Sequence, residues 1–189
     1  GVVYQGAERR TGCQFSFTCD GALLRGPAAA PWREAEAVAL AALSFVTFLP
    51  ALDHAFLVYD DDQYVTANPE VLRGLSASGL RWAFTSGHAA NWHPLTWLSH
   101  MTDVHLWGSV PRGHHLTNLL LHAASAAALF LALRALTGAL WRSAIVAALF
   151  AVHPTRIEVV AWVAERKELL SALFGFLTET CCNGRPELC

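Results

Sequence analysis

Residues 115–133 read HLTNLLLHAASAAALFLAL, and this stretch decides the fold class of the protein. It is rich in Ala and Leu and contains no Asp, Glu, Lys or Arg. A helix rises about 1.5 Å per residue, so such a run approaches the roughly 30 Å thickness of a bilayer's hydrocarbon core. The pattern therefore predicts a membrane-spanning helix.

The composition of the whole chain indicates the same class. Hydrophobic residues make up 54% of the 189 residues and charged residues 15%, whereas a soluble domain carries about 25% charged residues. A net charge of -2, with no stripe rich in Lys or Arg, excludes a nucleic-acid-binding protein. The composition favours a protein that contacts the lipid bilayer.

Three more apolar stretches predict an all-α, multi-pass membrane protein. The first covers Glu36 to Leu52, where Pro50 ends or kinks the helix. Another covers Ala139 to Val152 and is short for a full crossing, so we expect it to be tilted, kinked or shielded. The last begins near Glu168 and is cut off after about Leu177.

The two ends of the chain lack this pattern. We predict that residues 1–34 are a disordered or non-native leader, that residues 35–178 form a partial membrane domain, and that residues 179–189 are an unmatched tail. The five cysteines lie near the ends, in an odd number and without a zinc-binding spacing.

The basic residues predict an orientation in the membrane. Four arginines precede the first apolar stretch, and Arg134 and Arg142 flank the turn after the second, so both regions are expected on the cytoplasmic side. Residues 53–113 and 153–167 would then be outer segments. The second of these carries three cations against the charge rule, which indicates either a functional need for cations or a different topology.

The long segment 53–113 is expected to lie along the outer leaflet. Asn68 and Pro69 are suited to begin a short helix, and residues 79–84 are typical of an amphipathic one. Tryptophan favours the membrane interface, and this segment contains four tryptophans: Trp82, Trp92, Trp97 and Trp107.

The acidic triplet Asp60-Asp61-Asp62 follows the first apolar stretch. Three adjacent carboxylates belong at the mouth of a membrane helix and not in its lipid-facing part. They indicate either chemistry at the membrane surface or a solvated helix cap. An EF-hand is disfavoured because the glycine and closing glutamate are missing, although a divalent metal at the cluster stays open.

The histidines offer an alternative function. His93 and His100 are seven residues apart, as are His115 and His122, so each pair could share a helix face. These pairs indicate either polar packing or ligands for haem or a metal in a non-enzymatic membrane protein.

The segment from His153 to Glu168 offers a phosphate site. Arg166 and Lys167 lie at the start of an apolar helix, where free N–H groups and the helix dipole favour an anion. The competing interpretation is that both side chains only extend toward the interface.

Four motifs in order resemble one known family over about residues 36–177. They are YDDDQYVTANP (59–69), ANWHPLTWLSHMTDVHLWG (90–108), GHHLTNLLLHAASAAALFL (113–131) and VHPTRIEVVAWVAERKELLSALF (152–174). The chain resembles the amino-terminal membrane region of the transmembrane and tetratricopeptide-repeat O-mannosyltransferases and their bacterial relatives. The resemblance implies a truncated helical domain of the type C glycosyltransferase fold, with amphipathic helices in the first outer loop and the tetratricopeptide repeats beyond this chain.

The resemblance also implies a reaction and its residues. Such enzymes move a sugar from a polyprenyl- or dolichyl-phosphate donor in the bilayer to a protein hydroxyl. Asp61 is the expected base, with Asp60 next, because a carboxylate must accept the hydroxyl proton. Positive groups must stabilise the departing phosphate. The candidate substrate-binding residues are His93, Arg156 and Arg166 for the phosphate, and Glu158 and Glu165 for orienting those cations or binding the acceptor.

The chain is expected to be a fragment that is inactive alone, since the family fold has many more helices. An inactive gene fragment is a further interpretation. The bacterial inner membrane is favoured over the endoplasmic reticulum as its location.

Overall fold

The computed structural model describes residues 32–183, which are helical and contain no strand. The all-α prediction is confirmed for this part of the chain, while most of the predicted leader and the end of the tail lie outside it. The helices are α1 (Trp32–Thr47), α2 (Pro69–Leu72), α3 (Ala77–Thr85), α4 (Pro94–Trp107), α5 (Pro111–Thr137), α6 (Leu140–Val152), α7 (Arg156–Ala161) and α8 (Arg166–Asn183).

The apolar stretches all form helices, with some shifted ends. α1 ends at Thr47, and a separate 3-10 turn that contains Pro50 covers Leu49–Asp53. α5 extends beyond the predicted range at both ends, and α6 ends at Val152 as expected. α8 begins earlier than Glu168 and continues past the predicted domain limit at residue 178.

One helix among the described residues is long and apolar enough to cross a membrane. This helix is α5, with 27 residues. α1 has 16 residues and α6 has 13, so both are shorter than the roughly 20 residues that a span needs. The crossing of the membrane by several helices therefore stays a prediction.

α5 is the centre of the helix bundle and packs against α1, α6 and α8. Ala126 on α5 and Ala147 on α6 are fully buried, and such small side chains let helix backbones approach closely. Phe130 packs with Leu40 of α1 and with Ala147. Nearer the other end of α5, Leu119 packs with Phe48 and Val160.

The segment 53–113 folds into a second layer made of α2, α3 and α4. Its core contains Tyr64, Val65, Val71, Ala83, Trp97 and Met101, and Val163 and Ala164 join the same cluster. The helix α2 begins as the sequence predicts: the side chain of Asn68 accepts hydrogen bonds from the N–H groups of Glu70 and Val71. This layer brings the long segment against the residues just before α8.

The junction of α4 and α5 depends on a glycine. A Cβ atom on Gly113 would overlap the Cβ atom and indole ring of Trp107 well inside van der Waals contact. The close approach lets the last turn of α4 lie against the first turn of α5.

Candidate functional site

The three carboxylates of the acidic triplet have different environments. Asp61 is fully buried, Asp60 is half-buried, and Asp62 is exposed. Asp62 accepts a hydrogen bond from the N–H group of its neighbour Gln63 at 2.8 Å. Asp61 is thus closed to solvent, and the fold uses its carboxylate internally.

Asp61 connects two distant parts of the chain. Its Oδ2 atom accepts a hydrogen bond from the Leu57 N–H and its Oδ1 atom accepts one from the Ala164 N–H, each at 2.8 Å. Burial raises the pKa of this carboxyl above 3.8, although the two backbone N–H groups act in the opposite direction. Asp61 thus holds the acidic turn against the segment that leads into α8.

His93 lies at the start of α4 and stacks on Tyr64. The two ring centroids are 5.5 Å apart with an interplanar angle of 18°, and the Trp97 ring centroid is 4.6 Å from that of His93. The Nε2 atom of His93 is buried and has no hydrogen-bond partner. Burial, together with the charge of Lys167, lowers the pKa of His93, so its imidazole is neutral near pH 7.

Lys167 reaches the same cluster from the first turn of α8. Its Nζ atom is 5.9 Å from the centroid of the Tyr64 ring and 2.9 Å from Oε1 of Glu165. Burial lowers the pKa of Lys167, but the hydrogen bond and charge of Glu165 outweigh this effect and raise it overall. Tyr64 is therefore the point where three separate sequence motifs meet, and we call Tyr64, His93, Glu165 and Lys167 the Tyr64 cluster.

Arg166 has a different environment from the one that the sequence suggests. Its side chain is fully buried, and its guanidinium donates to Asp103 Oδ2 at 2.6 Å, Ser99 Oγ at 2.9 Å, the His114 carbonyl at 2.9 Å and Asn118 Oδ1. These bonds connect α8 to α4 and α5. The expectation of a direct phosphate contact is corrected, since the charge of Arg166 is neutralised inside the protein.

The other two predicted residues lie on α7. Arg156 is half-buried, with its guanidinium carbon 4.3 Å from the centroid of the Phe150 ring, and Glu158 is exposed. Among the described contacts, none joins Arg156 or Glu158 to the Tyr64 cluster. Their predicted roles in substrate binding stay predictions.

Neither predicted histidine pair by itself supplies the group of ligand atoms that converges in the described part of the chain. Among residues 32–183, the converging ligand atoms belong to His100, Asp103 and His114, within 4.8 Å of one another. Asp103 is already bound by Arg166 and by Thr117 at 2.7 Å. A metal ion there would lie beside a buried guanidinium, so charge repulsion disfavours a metal ion at this group.

Comparison with known proteins connects this arrangement to one family. The chain is 35% identical over 144 residues to protein O-mannosyl-transferase Tmtc2 of Drosophila melanogaster, and 34% identical over 139 residues to Tmtc1 of the same species. These matches cover 72% and 70% of this chain. It is also 30% identical over 158 residues to human protein O-mannosyl-transferase TMTC4, covering 72% of this chain. The chain belongs to the Tmtc family.

The chain spans 15%, 16% and 21% of the lengths of these three Tmtc relatives. No family-level sequence profile matches it, and no solved structure does. Membership in the Tmtc family confirms the resemblance drawn from the four motifs, whereas the activity of a whole Tmtc protein is a matter for proposal.

Two residues of this Tmtc chain, Tyr64 and Asn118, had no predicted role, whereas Lys167 was expected together with Arg166 at a phosphate site. Tyr64 lies three residues after Asp61, and Lys167 follows Arg166 directly. Asn118 is a polar residue within an apolar helix, which is itself a signal of function or internal pairing. What the sequence could not indicate is that Arg166 faces inward while Lys167 faces the cluster.

Proposed function

We propose that the full-length protein is an integral membrane glycosyltransferase that moves a sugar from a polyprenyl- or dolichyl-phosphate donor to a hydroxyl of an acceptor protein. The observation that carries this proposal is the meeting of three motifs. Asp61 binds the Ala164 N–H, His93 stacks on Tyr64, and Lys167 lies over the same ring. The names of the relatives support a protein acceptor and mannose as the sugar.

Lys167 is our principal candidate for the cation at the departing phosphate. It keeps its positive charge at neutral pH, and it remains partly exposed at 33% of its side-chain surface. Preorganised cations at the point where charge develops lower the barrier of such a transfer. Glu165 fixes the direction of the Lys167 ammonium group, consistent with its predicted role of orienting a cation.

His93 can supply a second contact to the donor. Because its ring is neutral and its Nε2 atom has no partner within the protein, it can donate or accept one hydrogen bond according to its tautomer. In the tautomer with the proton on Nε2, His93 would donate a hydrogen bond to a phosphate oxygen. His93 therefore keeps the role in phosphate binding that the family resemblance implies.

Asp60 is the more accessible of the two candidate bases. It is half-buried, whereas both oxygens of Asp61 accept backbone N–H groups. A base must reach the hydroxyl proton within hydrogen-bonding distance. We assign proton acceptance to Asp60 and the placement of the acidic turn to Asp61, which reverses the order expected from sequence.

The membrane part of the proposal depends on α5. Its length and apolar character suit a bilayer span, and the proposed site lies at the end of α5 near α4 and α8. We place this end on the outer side of the membrane, with the α5–α6 turn in the cytoplasm. Location in the bacterial inner membrane stays a prediction.

The test uses the full-length protein in membranes with dolichyl-phosphate mannose and an acceptor peptide. Asp60→Asn should lower turnover by about 100-fold, a usual size for the loss of a general base. Asp62→Asn is the matched control, because this neighbouring carboxylate is exposed and bonds only to Gln63 among the described residues. Wild-type turnover of the Asp60 variant would remove it from the reaction.

A second pair of variants tests the phosphate site. Lys167→Ala should raise the KM for the donor by about 10-fold or more while the KM for the acceptor stays the same. Arg81→Ala removes an exposed cation on α3 and should leave both constants unchanged. An unchanged donor KM in the Lys167 variant would place the phosphate contacts elsewhere in the protein.

A further inference from the structure

We infer that Asn118, together with Arg166 and Asp103, is a positioning residue that fixes the segment 160–167 against the acidic turn. We call these three side chains the buried clamp. The inference rests on the proposed function for its catalytic meaning, while the clamp itself is a statement about structure. None of the three side chains needs to touch a substrate.

Asn118 uses all of its polar atoms on this segment. Its Oδ1 atom accepts from Arg166 Nε, and its Nδ2 atom donates to the carbonyls of Val160 and Trp162, each at 3.2 Å. The side chain is fully buried. One amide on α5 thereby holds the end of α7, the turn that follows, and the first residue of α8.

Arg166 is in turn held by α4 and α5. Asp103 on α4 accepts from it at 2.6 Å, and the His114 carbonyl on α5 accepts from it at 2.9 Å. Asp103 also receives a hydrogen bond from Thr117 at 2.7 Å. Each partner is buried and already hydrogen-bonded, so only one arrangement of the clamp satisfies all of its polar groups.

The held segment contains two groups that matter to the proposed site. The Ala164 N–H binds Asp61, and Lys167 follows Arg166 directly. Ala164 lies two residues after Trp162, whose carbonyl binds Asn118, and Lys167 is the neighbour of Arg166. Movement of residues 160–166 would therefore shift the acidic turn and the cation relative to each other, and a displacement near 1 Å can lower a rate by about 100-fold.

Asn118→Asp is the variant that separates positioning from simple packing. It keeps the size of the side chain and can still bind Arg166, but an ionised carboxylate has no hydrogen to give the two carbonyls. Asn118→Ser is a second variant with a neutral hydroxyl, which is used if the first fails to fold. Arg134→Gln is the control, because it removes another ion pair between helices, at 3.2 Å to Glu36.

The first measurement is hydrogen–deuterium exchange of the folded full-length protein, followed over peptides that cover residues 157–167 and 55–62. An Asn118 variant should exchange at least 10-fold faster in both regions, whereas Arg134→Gln should not change them. Unchanged exchange in both regions for a folded Asn118 variant would overturn the clamp.

The second measurement is sugar transfer at a temperature well below unfolding. The folded Asn118 variant should lose about 10- to 100-fold in turnover at saturating donor, and combining it with Asp61→Asn should cost less than the product of the two single effects. Faster exchange with unchanged turnover would overturn the positioning role. A wild-type protein that transfers no sugar would refute the proposed function, while the exchange result would still decide the clamp.

Discussion

Arg166→Met is expected to cause a large loss of stability. Methionine is unbranched and apolar, so it fills part of the volume of the arginine side chain. The four hydrogen bonds of the guanidinium are lost. Asp103 would remain as a buried carboxylate whose charged partner is missing. Removing one member of a buried ion pair costs about 3–5 kcal/mol.

The acceptors left behind indicate that the cost should be near the upper end of that range. Asn118 Oδ1 and the His114 carbonyl lose their donor in a place that water does not reach, and an unsatisfied buried polar group costs about 1–3 kcal/mol. The terms overlap and cannot be summed, so we expect about 4–5 kcal/mol. The unfolding midpoint of a unit of this size would fall by roughly 8 °C or more.

The assay is the thermal unfolding of full-length protein in detergent, followed by tryptophan fluorescence. Arg112→Ala is the control, since Arg112 forms an exposed pair with Asp53 at 2.9 Å and exposed pairs contribute about 0–1 kcal/mol. The double variant Arg166→Met with Asp103→Leu should recover part of the loss, because it removes the unpaired charge. A single variant that unfolds within 2 °C or so of wild type would refute the reasoning, as would a double variant no more stable than the single one.

Three further predictions concern packing, pH and orientation. Gly113→Ala should lower the unfolding midpoint by several degrees, since its Cβ atom would overlap Trp107; a change of less than a degree would show that the two helices can separate freely. Burial keeps the pKa of His100 well below 6.5, so the unfolded chain binds its proton first and stability should fall as pH decreases through 6.5. His100→Phe should flatten that slope in unfolding midpoints measured between pH 7 and pH 5, and an unchanged slope would assign it to other groups. Single cysteines in an otherwise Cys-free protein should be labelled from the outside at position 66 and from the cytoplasm at position 136, and the reverse pattern would invert the proposed topology.

The sequence predicted the helices whose burial follows from composition. The run at 115–133 contains no Asp, Glu, Lys or Arg, and the run that ends at Val152 contains only Arg142, so both favour buried or lipid-facing helices. The bounds of α4 were not predicted. Its buried face mixes Thr96, His100 and Asp103 with apolar side chains, while Leu95 and Leu106 are exposed, so it has no apolar stripe of helical period.

The candidate site was predicted in its parts but not in its internal arrangement. The acidic turn and His93 were recognised because the reaction that the family resemblance implies needs a carboxylate base and a contact to the phosphate. In the neighbouring residues Asp60 and Asp61, and likewise in Arg166 and Lys167, one side chain faces inward. Which one does so depends on partners far away in the chain. Arg166 faces inward because Asp103, 63 positions earlier, offers a buried carboxylate, and Asp61 does so because the Ala164 N–H needs an acceptor.

The bond between Asp61 and Ala164 joins residues 103 positions apart, and this separation has a consequence for synthesis. A ribosome adding about 5–20 residues per second completes the acidic turn roughly 5–20 seconds before Ala164 exists. During that interval α5 and α6 must enter the bundle and return the chain to the side where the turn waits. Until then Asp61 lacks this partner, and a nascent chain halted before α7 would present the acidic turn without the backbone donor that later fixes it.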